Sequence, residues 1–146
     1  FFTTRYVEKG DKMFNEINIL REMPIFKNIE IGKLEKIFNL LHLVKVKKGD
    51  VLIKEDEIAR DFYILLSGQY KITFKNGKHL ILDKKGDFIG WATIIAAPKY
   101  LGTGVALTDG DAFKLTRQDF MDLLISDSEI GNQIMANGSE LAAKHL

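Results

Sequence analysis

The sequence predicts a mainly β chain with flanking α-helices: an antiparallel β-roll held between N-terminal and C-terminal helices. Three observations carry this expectation. Apolar residues recur at three and four positions before about residue 43 and again after residue 115, and in between the period falls to two. Gly49, Gly68, Gly86 and Gly110 punctuate the period-two zone as turns of an all-β body would. Asn76-Gly77 sits between two alternating runs, a strong hairpin signal.

The leading helical zone, 11–42, places Met13, Phe14 and Ile17, then Leu34, Ile37, Phe38 and Leu41, on inward faces. Met23-Pro24 divides it into two helices, because proline disfavours helical geometry in the residue before it. The β zone, 43–115, opens with Val44 and Val46 alternating with Lys45 and Lys47. Phe62 to Leu66 is a short apolar strand, and Tyr70, Ile72 and Phe74 alternate with Lys71, Thr73 and Lys75 ahead of a strand at His79–Asp83. In the closing zone, 116–146, Thr116 and Asp119 resemble a capping box, and Phe120, Leu123 and Leu124 point inward. A last helix runs from Ser128 towards Leu146 with Ile130, Ile134 and Leu141 along one side. Gly131 and Gly138 are expected to weaken it, each by up to about 1 kcal/mol relative to alanine. With neither a repeat nor a low-complexity linker, residues 1–146 read as one domain.

Composition narrows the function classes. The 146 residues are 46% hydrophobic, enough for a sizeable core. Twenty-one Lys and Arg against 20 Asp and Glu leave a net charge of +1, which gives no electrostatic reason to expect nucleic acid or an anionic membrane. Zero cysteines exclude disulfides, thiolate metal sites and cysteine nucleophiles, and suit a reducing cytoplasm. No apolar run approaches the ~18 residues of a membrane span, and the first ten residues show no secretory signal. The chain begins without Met, so upstream sequence is left open.

Residues 49–68, GDVLIKEDEIARDFYILLSG, run turn, strand, acidic loop, apolar strand and turn. With Pro24-Ile25-Phe26 before them, and Gly86-Asp87-Phe88-Ile89-Gly90 and Val105–Asp109 after them, they resemble the cyclic nucleotide-binding domain family, the Crp/Fnr-type β-roll. The resemblance covers about Leu20 to Leu141, and Gly90-Trp91 is similar to a subgroup of small stand-alone bacterial domains. It implies a double-stranded, jelly-roll-like body with an internal cassette helix that captures a cyclic phosphate on backbone N–H groups. In the family a Glu after the Phe-Gly pair takes the ribose hydroxyl, and an Arg about nine residues later pairs with the phosphate. Here those positions hold Trp91 and Tyr100, with Lys99 adjacent, and Asp56 stands where the family usually has glycine. Two absent charge-assisted hydrogen bonds, each about 1.5–3 kcal/mol, amount to a factor of hundreds or more in affinity. The resemblance therefore implies weak or altered binding of cAMP or cGMP, with another small anion as alternative ligand. The expected ligand-binding set is Phe88, Ile89, Gly90, Trp91, Ala92, Thr93, Lys99, Tyr100 and Thr103.

Each candidate has a plainer reading. Trp91, the sole tryptophan, is either a stacking platform for a ring-bearing ligand or a filler of the nucleotide's space, with the filler preferred. Tyr100 either caps a ligand or hydrogen-bonds nearby backbone. Lys99 reads first as a solvated cation. Lys45, Lys47, Lys48, Lys71, Lys75, Lys78, Lys84 and Lys85 read as exposed faces and edge protection before they read as a nucleic-acid patch. His42 at a helix end, His79 beside the hairpin and His145 in the last helix lack the convergence of a metal site. Glu55-Asp56-Glu57 reads as a solvated loop, and no serine has a nucleophile-elbow context.

The expectation is a regulatory, ligand-sensing domain that performs no chemistry. By the family's mechanism, ligand in the roll repositions the closing helix and a partner reads the movement. The alternative is a degenerate roll kept for dimerisation or protein interaction. The Ile130, Ile134 and Leu141 stripe either joins two copies into a homodimer or packs on the roll. In the regulator branch, DNA is read by a separate helix-turn-helix domain, so no direct nucleic-acid binding is expected of these residues.

Overall fold

In the computed structural model residues 17–144 are described; Met13, Phe14, His145 and Leu146 lie outside the described residues. Residues 17–21 are helical, and the chain then turns through a 3-10 segment at Pro24–Phe26 into α1, Ile31–Leu40. Leu34, Ile37 and Phe38 form its buried face, and Leu41 is buried just past its end. His42 is not at a helix end. It opens β1, His42–Val46, because α1 has already stopped at Leu40.

Seven further strands follow: β2 Val51–Ile53, β3 Asp61–Leu65, β4 Tyr70–Phe74, β5 His79–Leu82, β6 Phe88–Ile89, β7 Gly102–Ala106 and β8 Gly110–Thr116. They form two four-stranded sheets, ordered β1-β8-β3-β6 and β2-β7-β4-β5, with every pairing antiparallel. Between β6 and β7 lies a short helix, α2, Trp91–Ile94. After β8 come α3, Arg117–Ser126, and α4, Ser128–Ala143. The Thr116 hydroxyl accepts a hydrogen bond from Asp119 N at 3.1 Å, capping α3.

The core divides at the first sheet. Phe62 and Ile64 of β3, with Phe113 and Leu115 of β8, face the helices and join Leu20, Phe26, Phe38, Phe120, Ile130 and Ile134. Leu65 and Ala112 face the opposite way, towards Ile53, Tyr70, Ile72, Ile89 and Ala106, between the two sheets. A strand covered on both faces reads as a continuous apolar run, which is why Phe62 to Leu66 does not alternate in sequence.

Two local readings change. The strand expected at Val105–Asp109 is β7, Gly102–Ala106, starting three residues earlier. Its glycines hid it: a Cβ on Gly102 would stand 2.8 Å from Thr73 O, and one on Gly104 2.9 Å from Ile72 Cδ1. The β4–β5 hairpin also differs in detail, since only Gly77 of the Asn-Gly pair has positive φ, +85°. Gly77 N donates to Phe74 O and Phe74 N to Lys78 O, which makes a type I turn closed by a left-handed glycine. The Asn76 side chain serves the turn by accepting from Lys78 N at 2.9 Å.

Candidate ligand-binding site

The β6–α2 junction is built on close approach. Gly90 has φ +92°, and a Cβ there would lie 2.7 Å from Asp61 O, so no other residue fits without displacing β3. The backbone of Asp61 then becomes an anchor. Tyr100 Oη donates to Asp61 O at 2.6 Å and accepts from Asp61 N at 2.8 Å, while Thr93 Oγ1 donates to the same oxygen at 2.9 Å.

The other end of α2 is held by Arg117. Its Nη2 donates to Ala92 O at 3.1 Å and to Ala97 O, and its Nε donates to Thr93 O at 3.4 Å. A cation at the carbonyl end of a helix is electrostatically well placed. Beyond that end Ala96 takes φ +57°, a left-handed conformation unusual for a residue with a Cβ.

Between the sheets and α2 lies a cavity of about 920 Å³, within the ordinary size of a small-molecule site. Its wall is mostly apolar, with Phe74, Leu80, Leu82, Phe88, Trp91 and Tyr100 as its larger side chains. Asn76, Lys78 and His79 stand where it reaches the hairpin, and Ala142 of α4 lines it from the closing helix.

Trp91 joins this cavity to the last helix. Its ring centroid lies 5.3 Å from that of Phe88 and 6.0 Å from that of Phe62, both edge-on. On another side it occupies the notch left by Gly138, where a Cβ would come within 2.0 Å of the indole. One position earlier, buried Asn137 donates to Ile25 O at 3.0 Å and to Lys27 O at 2.9 Å, tying α4 to the 3-10 segment. Glu140 adds an ion pair to Lys27 at 3.0 Å, and that hydrogen bond holds its carboxyl below the usual range. The two helix glycines are contact points: Gly131 admits Leu124 as Gly138 admits Trp91.

A profile of the cyclic nucleotide-binding domain matches residues 43–127, from β1 through α3. The chain belongs to the cyclic nucleotide-binding domain family. Among curated relatives it is 31% identical over 107 residues to a cAMP-dependent protein kinase regulatory subunit of Hypocrea atroviridis, covering 73% of this chain and 23% of that protein. It is 34% identical over 84 residues to human cGMP-dependent protein kinase 2, covering 54% of this chain and 11% of the kinase. The chain thus spans about a quarter or less of the length of these relatives. In three dimensions it is similar to the regulatory subunit of a cAMP-independent protein kinase A from Trypanosoma brucei, with TM-score 0.75 and 20% identity over 88% of this chain and 45% of that one. It is also similar to the N-terminal domain of a transcriptional regulator from Streptomyces coelicolor, with TM-score 0.68 and 21% identity over 87% and 94%. Both likenesses describe the fold.

Within that family fold, six of the nine expected ligand-binding residues line the cavity: Phe88, Ile89, Gly90, Trp91, Ala92 and Tyr100. Three do not. Thr93 is buried, with its hydroxyl on Asp61 O and its N–H on Gly90 O. Thr103 Oγ1 accepts from Glu55 N at 3.1 Å, stitching the acidic loop to β7. Lys99 is exposed, in a bridge with Ile58. The Tyr100 hydroxyl is engaged with backbone, the plainer of its two readings. Asp56, at the position where glycine was expected, adopts φ +69° and pairs with Lys75 at 3.0 Å, which raises the pKa of that lysine. Burial, then the charges of Asp61 and Tyr100, push the Tyr63 phenol up to about 12. Among the described residues no cluster of His and carboxylates could hold a metal, and no helix is long and apolar enough to cross a membrane.

Sequence reasoning missed Arg117 and Asn137, and read Gly138 only as a weakening of the last helix. Arg117 reads as an ordinary charge in a helix's first turn, where the dipole disfavours it. That mismatch was the available signal.

Proposed function

We propose that this chain is a regulatory ligand-sensing domain, without chemistry of its own, whose cassette binds cAMP and cGMP weakly at best. The observation that carries the reading is the cavity of about 920 Å³, which Trp91 and Tyr100 line without filling. Its cassette end offers neither the carboxylate nor the guanidinium that the family applies to ribose and phosphate. Tyr100 and Thr93 spend their hydroxyls on Asp61, and Arg117 spends its donors on α2 carbonyls.

The route from ligand to output runs through Trp91. A body entering the roll meets one part of the indole, while another part sits against Gly138 of α4. Ligand that moves α2 therefore moves the seat of α4, and unequal affinity for the two helix positions sets the size of the response. The open cavity supports the sensor reading over the degenerate roll. Of the stripe weighed for a homodimer, Ile130 and Ile134 are each 1% exposed within this one chain, and Leu141 is half-buried.

Trp91 fluorescence and melting temperature, followed during titration with cAMP and cGMP, test the reading. Change only as ligand approaches about millimolar is expected, given the two missing charge-assisted bonds. Saturation at micromolar ligand, with a matching rise in melting temperature, would overturn the proposed weakness.

A further inference from the structure

The ligand class follows from how the cavity distributes its polar groups, an argument that rests on the sensor reading above. Among the described lining residues, none at the cassette end is a lysine or arginine. The neighbouring side-chain donors of Thr93, Tyr100 and Arg117 are already spent on backbone. At the hairpin end the arrangement reverses. Lys78 is the cation among the lining residues, with His79 and Asn76 beside it. Among the described residues Lys78 Nζ has no carboxylate partner, whereas nearby Lys75 is held by Asp56 at 3.0 Å. Between the two ends the wall carries Phe74, Phe88, Trp91 and Tyr100, a surface suited to flat rings.

We propose that the roll takes an amphipathic organic anion in reversed orientation. Its ring-bearing apolar body lies against Trp91 and Phe88, and its carboxylate, sulfonate or phosphate sits at Lys78 on the β4–β5 hairpin. Such a pose keeps the charged head at the exposed hairpin, so the head is not stripped of water, while the body gains from apolar burial. A compact nucleotide with its phosphate at the cassette would meet no free side-chain cation there. The same distribution of charge thus disfavours the family's pose and favours the reversed one.

Two naphthyl probes separate the parts of this proposal: 8-anilinonaphthalene-1-sulfonate, which is anionic, and N-phenyl-1-naphthylamine, its neutral counterpart. Energy transfer from Trp91 reports arrival of either in the roll. The expected result is tighter binding of the sulfonate than of the neutral probe at low salt. Lys78→Ala should weaken the sulfonate roughly threefold, as an exposed charge contact allows, and Lys78→Glu by more, both leaving the neutral probe unchanged. Lys78 is exposed, so neither substitution threatens folding. Equal loss of both probes, or no loss of the sulfonate in Lys78→Glu, overturns the reversed pose and leaves the sensor reading standing. Absence of energy transfer from Trp91 to either probe overturns both.

Discussion

The two faces of the first sheet are packed in opposite styles. On the helical face, Phe26, Phe38, Phe62, Phe120, Leu34 and Ile134 fill the space with large, fully buried side chains. On the roll face the buried set includes Ala59, Ala92, Ala106 and Ala112, and β7 contributes Gly102 and Gly104. Of these small residues, Ala92 and Gly102 border the cavity, where larger side chains would narrow it. The lesson is a division of labour: one face holds the fold together, which allows the other to stay hollow.

That contrast is most easily broken by truncating one side chain on each face. Phe120→Ala, at a site with 0% exposure, should cost about 3–5 kcal/mol in urea denaturation. Leu80→Ala, on a half-buried wall that already borders open space, should cost about 1 kcal/mol or less, because it adds no new enclosed void. Equal losses would mean that the roll is as tightly filled as the helical side.

The adjacent residues Asn137 and Gly138 sharpen the comparison, since the first ties α4 to the 3-10 segment and the second seats it on Trp91 of α2. Asn137→Ala strands two carbonyls, Ile25 O and Lys27 O, and should cost about 2 kcal/mol with Trp91 emission unchanged. Gly138→Ala should cost a similar 1–3 kcal/mol, roughly, by overpacking. It differs in its second readout: the indole must leave its notch, so emission shifts to the red and acrylamide reaches the ring. A Gly138→Ala variant with native emission would sever the proposed route from roll to helix.

The smallest effect is expected at Ala96, whose φ of +57° is held by the segment that Arg117 grips. Ala96→Gly relieves a left-handed conformation and should raise stability by up to about 1 kcal/mol at the thermal midpoint. A loss of stability would show that the strain is not stored there.

Much of this frame was legible in the sequence, and the reasons are physical. The helices α1, α3 and α4 show because each turns one apolar stripe inward, as Leu34, Ile37 and Phe38 do. Strand β4 shows because Tyr70 and Ile72 are buried while Thr73 is exposed. Strand β7 stayed hidden because glycines leave no periodicity to read. The cassette was legible as a run of residue types, and six of its nine expected ligand residues do border the cavity. Thr93 and Thr103 were not separable from the others, because a hydroxyl's partner is set by which strand passes beside it. Trp91 as filler or wall, and Gly138 as weakness or notch, depended on one contact between residues 47 positions apart in the sequence. Composition and periodicity carry no record of such a pairing.

The central claim is that occupancy of the hollow face is felt by the closing helix through Trp91. Hydrogen–deuterium exchange across Ser128–Ala143, with and without 8-anilinonaphthalene-1-sulfonate at a concentration that saturates energy transfer from Trp91, tests it most directly. The account predicts altered exchange in both α2 and α4, with the α4 response lost in Gly138→Ala. Protection confined to β4, β5 and α2, with α4 unchanged in the unmodified chain, would contradict it.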